Sequence, residues 1–173
     1  MYMTDGLYIR SGNKSDLDDI YALYRSLMDM PYSTWDEDYP SKEIVKEDLE
    51  KNEVLVMCEN DGRIVSAIVI EDEQEEYDAD AEWYPDVIKW AALARLGVSK
   101  DMQGHGIAKR MLCAAMKRAQ ESGCDGVRFL VSKDNPYPQR AYAKLNFDIC
   151  GEVELFGLSW LCYQKRLSSC SFE

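Results

Sequence analysis

The chain has 173 residues, 46% hydrophobic and 30% charged, so it is long enough to bury a full core without disulfide or metal staples. Its net charge of −12 argues against nucleic acid or an anionic membrane as a partner. No window of 18 uninterrupted apolar residues and no apolar leader after MYMTDGLYIR are present, so a soluble, cytoplasmic, single domain over 1–173 is expected.

In chain order, residues 8–10 begin a short strand. Ser15, Asp16, Leu17 and Asp18 read as a capped helix start, and Ile20, Leu23, Tyr24, Leu27 and Met28 continue it at helical spacing to about residue 29. The aromatic loop PYSTWDEDYP comes next, and Ser41 opens a more polar helix to about residue 51. Residues 54–58 form a strand, Asn60-Asp61-Gly62 a hairpin turn, and residues 64–70 the returning strand. After an acidic insertion, the apolar run 90–98 reads as a central strand. A helix is expected over 106–122, stopped by Gly123. A strand at 127–131, a short helix at 138–145 and strands at 148–155 and 160–165 complete the chain. The order β-α-α-β-β-β-α-β-α-β-β predicts an α/β (α+β) fold with a mixed central sheet flanked by helices.

Charge is unevenly placed. Residues 36–86 hold 19 acids and four bases, and residues 71–86 hold nine acids and no base. Such a field attracts cations, although a solvated acidic loop would show the same composition. Lys100, Lys109, Arg110, Lys117 and Arg118 instead gather around a glycine-bearing loop. The six cysteines, at 58, 113, 124, 150, 162 and 170, have irregular spacing and no C-x-x-C, and His105 is the only histidine. No metal site is expected, and the thiols read as reduced, mostly buried small hydrophobes.

The loop is KDMQGHGIAKRM, which sets Gly104 and Gly106 around His105 and runs straight into the third helix. A helix start offers unpaired N–H groups and the positive end of its dipole, and glycine lets an anion approach the backbone closely. A Walker A loop is excluded because Ile107 follows Gly106 and Arg110 follows Lys109. A dinucleotide fingerprint is excluded because Lys109 stands where its third glycine belongs.

The stretch from Leu96 through Gly97 and Val98 to Ala108 resembles the coenzyme A motif of the GNAT family of acetyl-CoA-dependent N-acetyltransferases. That motif has Gln or Arg, two residues, Gly, one residue, then Gly or Ala; here these are Gln103, Gly104-His105, Gly106, Ile107 and Ala108. A second stretch, NPYPQRAYAKLNF from Asn135 to Phe147, resembles the family's N-x-x-A-x-x-L-Y-x-K-L-G-F segment. It keeps the Asn135–Tyr142 step and K-L-x-F, and departs at Pro138, Ala141 and Asn146. Pro138 suits a first helical turn, and Asn146 suits a left-handed position after the helix.

The resemblance implies acetyl-CoA as co-substrate. Leu96, Gly97 and Val98 would lie along the pantetheine arm, with Gln103, Gly104, His105, Gly106, Ile107 and Ala108 around the pyrophosphate. Tyr142 would donate a proton to the leaving thiolate, or else only pack on the sheet. Asn135 would bond the pantetheine, or else only cap its helix. His105, inside the loop, would face solvent or phosphate rather than act as an acid or base. Glu71, Glu73, Asp86 and a water chain are the candidates for taking the proton of the attacking amine.

The acceptor implied is a primary amine. Acidic surroundings favour a cationic one, either a small molecule or a protein or peptide amine, with Tyr32, Trp35, Tyr39, Trp83 and Tyr84 as candidates for lining its site. Relatives are often monomers or dimers, so a homodimer is allowed. The alternative is a catalytically silent module of the same fold that binds acetyl-CoA as a sensor or interaction partner.

Overall fold

The computed structural model describes residues 6–72 and 81–167. Its strands are β1 (Leu7–Ser11), β2 (Val54–Glu59), β3 (Ile64–Glu71), β4 (Trp90–Val98), β5 (Gly126–Ser132), β6 (Asp148–Leu155) and β7 (Leu158–Arg166). Its helices are α1 (Leu17–Ser26), α2 (Lys42–Glu50), α3 (Ile107–Glu121) and α4 (Pro136–Ala143). The seven strands take the order β1-β2-β3-β4-β5-β7-β6. This is the mixed, helix-flanked sheet that the sequence predicts.

By internal contacts the chain divides into two units, Met1–Ile70 with Arg95–Ala115 and Glu71–Ala94 with Met116–Glu173. In the first, β1 pairs antiparallel with β2, and β2 with β3. β2 and β3 are buried along nearly their whole length, as continuous apolar runs covered on both faces should be. Ile20, Leu23 and Tyr24 of α1 and Val45 and Leu49 of α2 are buried too.

In the second unit, β4 pairs parallel with β5 over only three residues, from Trp90↔Gly126 to Ala92↔Arg128. β7 lies antiparallel between β5 and β6. Phe129 stacks on Tyr163 across β5 and β7, with centroids 5.3 Å apart.

Local differences from the sequence reading have physical causes. Asn13, not Ser15, caps the first helical turn: its side chain accepts from the Ser15 N–H, and Asp16 reaches back to the Asn13 N–H. α1 ends at Ser26, because Leu27 and Met28 bond three residues back, to Tyr24 and Arg25, in tightened turns. α4 starts two residues before the expected 138, since Asn135 caps it and Pro136 fits its first position.

Candidate functional site

The loop between β4 and α3 brings two glycines to the start of a helix. Gly104 and Gly106 have φ of 80° and 76°, the left-handed region that favours glycine. A Cβ added at either would meet no atom within 4 Å, so the backbone there lies open. The first backbone bond of α3 runs from the Arg110 N–H to the Gly106 carbonyl at 3.2 Å, which leaves the N–H groups of the preceding turn aimed out of the helix end. Ile107 is buried and anchors that end in the core. These residues fit a pyrophosphate.

Side chains brace the loop. Gln103 Nε2 donates to the Val98 carbonyl at 3.0 Å. His105 Nδ1 faces the carbonyls of Gln103 at 3.0 Å and Met102 at 3.3 Å, a setting that favours the tautomer with the proton on Nδ1. His105 is therefore tied into the loop.

Two charges near the loop are already paired. Lys100 Nζ lies 2.6 Å from Asp29, and Asp101 pairs with Arg63 at 2.8 Å. An open hollow of ≈ 680 Å³ lies beside His105 and Arg110, but Glu59 and Asp61 on its wall disfavour a phosphate there.

The last residues of β4 lead into the loop. The Gly97 carbonyl accepts from buried Ser66 Oγ at 2.7 Å, and the Ser99 N–H donates to the Val65 carbonyl at 2.8 Å. A Cβ on Gly97 would lie 3.0 Å from Leu27 and 3.2 Å from Tyr24, so a side chain here would crowd its neighbours. Arg95, the one charge in WAALARLGV, bonds Asp48 and Tyr39. The sequence reading gives this residue no role, although a lone arginine in an apolar strand is itself a sign of a buried partner.

In the second unit, Asn135 Oδ1 accepts from the Tyr137 N–H at 3.1 Å, so its capping role is realised. Tyr142, near the end of α4, packs edge-on against Phe129 (5.1 Å), Tyr163 (6.2 Å) and Phe147 (6.3 Å). Burial pushes its hydroxyl well above the ordinary tyrosine pKa, which keeps the proton on oxygen at neutral pH.

Asp86 is held bidentately by Arg166, at 2.8 and 2.6 Å, and this guanidinium keeps its carboxyl below the usual range. So paired, a carboxylate is a poor proton acceptor. Glu71 ends β3, and Glu73 lies outside the described residues.

Most of the aromatic side chains serve the fold. Trp35 packs edge-on against Tyr24 at 4.9 Å, and Tyr39 accepts from Arg95 at 3.1 Å. Arg128 lies 5.1 Å over both Trp83 and Trp90, and Arg166 lies 3.5 Å over Tyr84. Their cation–π partners are the protein's own arginines. Tyr32 is half exposed.

Cys58, Cys124, Cys150 and Cys162 are free thiols, and Cys170 lies outside the described residues. Among the described residues no group of three His, Cys, Asp or Glu could hold a metal, and no helix is long and apolar enough to cross a membrane.

Residues 18–147 match the model of the Acetyltransferase (GNAT) family. The fold is similar to a GNAT-family acetyltransferase from Streptococcus agalactiae, with 24% identity, a TM-score of 0.78, and coverage of 95% of this chain and 97% of that one. It is also similar to an acetyltransferase from Salmonella typhimurium solved with acetyl-CoA, with 17% identity, a TM-score of 0.73, and coverage of 96% and 97%. A third similar structure is the ribosomal-protein-S18-alanine N-acetyltransferase of Escherichia coli, with 14% identity, a TM-score of 0.70, and coverage of 96% and 97%. Among curated proteins, none matches the chain.

Proposed function

Because this chain belongs to the GNAT acetyltransferase family, whose co-substrate is acetyl-CoA, we propose that it is an N-acetyltransferase acting on a primary amine, with both reactants bound together. The whole chain, 1–173, acts as one such domain. The observation that carries this reading is the pair of open, left-handed glycines, Gly104 and Gly106, just ahead of the N-terminus of α3.

Gln103, Gly104, His105, Gly106, Ile107 and Ala108 hold the pyrophosphate, mostly through main-chain N–H groups. Leu96, Gly97 and Val98 offer strand backbone to the pantetheine arm, and Gly97 is also closely packed against Leu27 and Tyr24. Asn135, with Oδ1 committed to its cap, offers its amide N–H₂ to the same arm. When bound, acetyl-CoA supplies an acetyl group activated as a thioester.

The amine, with an ordinary pKa near ~10, has to lose a proton before it attacks. Glu71, Glu73 or a water chain takes that proton, since Asp86 is neutralised by Arg166. Tyr142, protonated at neutral pH, donates a hydrogen bond to sulfur as negative charge develops there. The acceptor is a cationic small molecule or a protein or peptide amine, a class supported by the surplus of 19 acids over four bases in residues 36–86. Free thiols at Cys58, Cys124, Cys150 and Cys162 support a reducing, cytoplasmic setting.

Thermal unfolding with acetyl-CoA, CoA, ATP and NAD tests the reading, with Gly106→Trp as a blocked loop. A ligand at a hundred times its Kd stabilises the fold by about 2.7 kcal/mol. The expected result is a shift with acetyl-CoA and CoA alone, absent in Gly106→Trp. No shift at saturating acetyl-CoA overturns the reading. Thiol release over an amine panel then separates an enzyme from a silent acetyl-CoA-binding module.

A further inference from the structure

Arg95 stands in a conformation that an extended strand does not use. It lies within β4, yet its φ is 48°, in the left-handed region where a side chain is strained. A kink of this kind is made most cheaply by glycine, and glycine is not what stands there.

A set of bonds holds the kink in place. Arg95 Nε and Nη2 donate to the two carboxylate oxygens of Asp48 at 2.9 and 2.8 Å, and Nη1 donates to Tyr39 Oη at 3.1 Å. The Arg95 carbonyl accepts from the buried Tyr24 hydroxyl at 2.8 Å. One residue is thus fixed through both its side chain and its main chain, to α1, to α2 and to the chain between them. The Arg95 and Asp48 side chains are each only 8% exposed. A buried ion pair is a poor way to gain stability, because apolar residues of similar volume do as well or better. A forked pair does supply a fixed direction.

That direction is passed on to the next three residues of β4, Leu96, Gly97 and Val98. Their far side is also pinned, through Ser66 on the Gly97 carbonyl and Val65 on the Ser99 N–H. With both ends held, the backbone of these three residues has one orientation.

We propose that Arg95 is a positioning residue for acyl-CoA binding: anchored to Asp48, Tyr39 and Tyr24, its left-handed kink in β4 aims the backbone of Leu96, Gly97 and Val98 at the pantetheine arm. This rests on the assignment of those three residues to the arm under the proposed function. Arg95 itself touches no reacting atom.

The test compares two ligands by calorimetry: CoA, and the adenosine diphosphate fragment of CoA, which keeps the ribose phosphate but lacks the pantetheine arm. Both are titrated into the wild type, Arg95→Gly, Arg95→Lys and Tyr24→Phe. Arg95→Gly keeps access to the left-handed φ and loses the anchor, whereas Arg95→Lys keeps a charge for Asp48 but loses the fork. The expected result is a Kd for CoA raised roughly tenfold in Arg95→Gly and less in Arg95→Lys, with the fragment's Kd nearly unchanged. Should Arg95→Gly fail to fold, Tyr24→Phe removes a single oxygen and reads the same selectivity on a smaller scale. Equal weakening of both ligands, or unchanged CoA binding in all variants, overturns the proposal while CoA binding by the wild type stands. A wild type that binds neither ligand overturns the acyl-CoA reading and this inference with it.

Discussion

Gln103 Nε2 donates to the Val98 carbonyl at 3.0 Å, tying the glycine loop back to the end of β4. An exposed hydrogen bond of this kind contributes about 1 kcal/mol, so Gln103→Ala should weaken CoA roughly fivefold by letting the loop sample other shapes. Gln103→Glu should be worse, about tenfold or more, because a carboxylate repels both that carbonyl and the pyrophosphate. Titration calorimetry with CoA reads both. Wild-type affinity in Gln103→Glu would detach the loop from the phosphate.

Much of this geometry is legible in the sequence for a local reason. Gly104 and Gly106 stand out because glycine adopts their φ at least cost, and β4 matches its apolar run at both ends. Asn146 is expected to be left-handed, and its φ is 55°. Relations across long sequence separations are not legible in the same way. Nothing near Arg95 announces Asp48 or Tyr39, and nothing near Gly97 announces Leu27 and Tyr24. A glycine needed for packing and a glycine needed for a ligand look the same in a sequence. So do an aromatic ring that lines a site and one that, like Trp83, covers an arginine.

Gly97→Ala separates those two kinds of glycine. Its Cβ would sit 3.0 Å from Leu27 and 3.2 Å from Tyr24. Tyr24 has little room to yield, since its hydroxyl bonds the Arg95 carbonyl and its ring meets Trp35. Overpacking of this kind costs about 1–3 kcal/mol, so the Tm without ligand should fall by roughly 3–10 °C. An unchanged Tm with weakened CoA binding would reverse the assignment and make Gly97 a ligand residue first.

Asp16 sets an acid limb. Arg10 grips its carboxylate at 2.7 and 2.8 Å, the Asn13 N–H adds a third bond at 2.8 Å, and the guanidinium holds the Asp16 carboxyl below its usual range. The folded pKa lies below the unfolded one, so this stabilisation is complete above the unfolded value near ~4 and is lost as pH falls through the folded one. Asp16→Asn should therefore cost about 2 kcal/mol at neutral pH, a difference that shrinks steadily below pH ~4. Urea unfolding of both proteins from pH 7 downward measures it. A difference that stays constant into acid would mean that the pair contributes through shape and not through charge.

Tyr142 is where packing and chemistry can be pulled apart with one atom. Its ring contacts Phe129, Phe147 and Tyr163, and phenylalanine keeps all three, so Tyr142→Phe should leave Tm nearly unchanged. The leaving thiolate, of pKa about 8.5, needs a donor only as its bond to the acetyl carbon breaks; kcat should then fall by roughly a hundredfold with KM little altered. Burial raises the hydroxyl well above the ordinary tyrosine value near ~10, so the donor does not ionise across the accessible alkaline range. The ratio of wild-type to Tyr142→Phe kcat should accordingly stay level from pH ~7 to ~10, whereas an exposed tyrosine would lose its advantage toward the upper end. Steady-state rates across that range decide the matter. Equal kcat at every pH would leave Tyr142 as a packed ring and move proton donation to water.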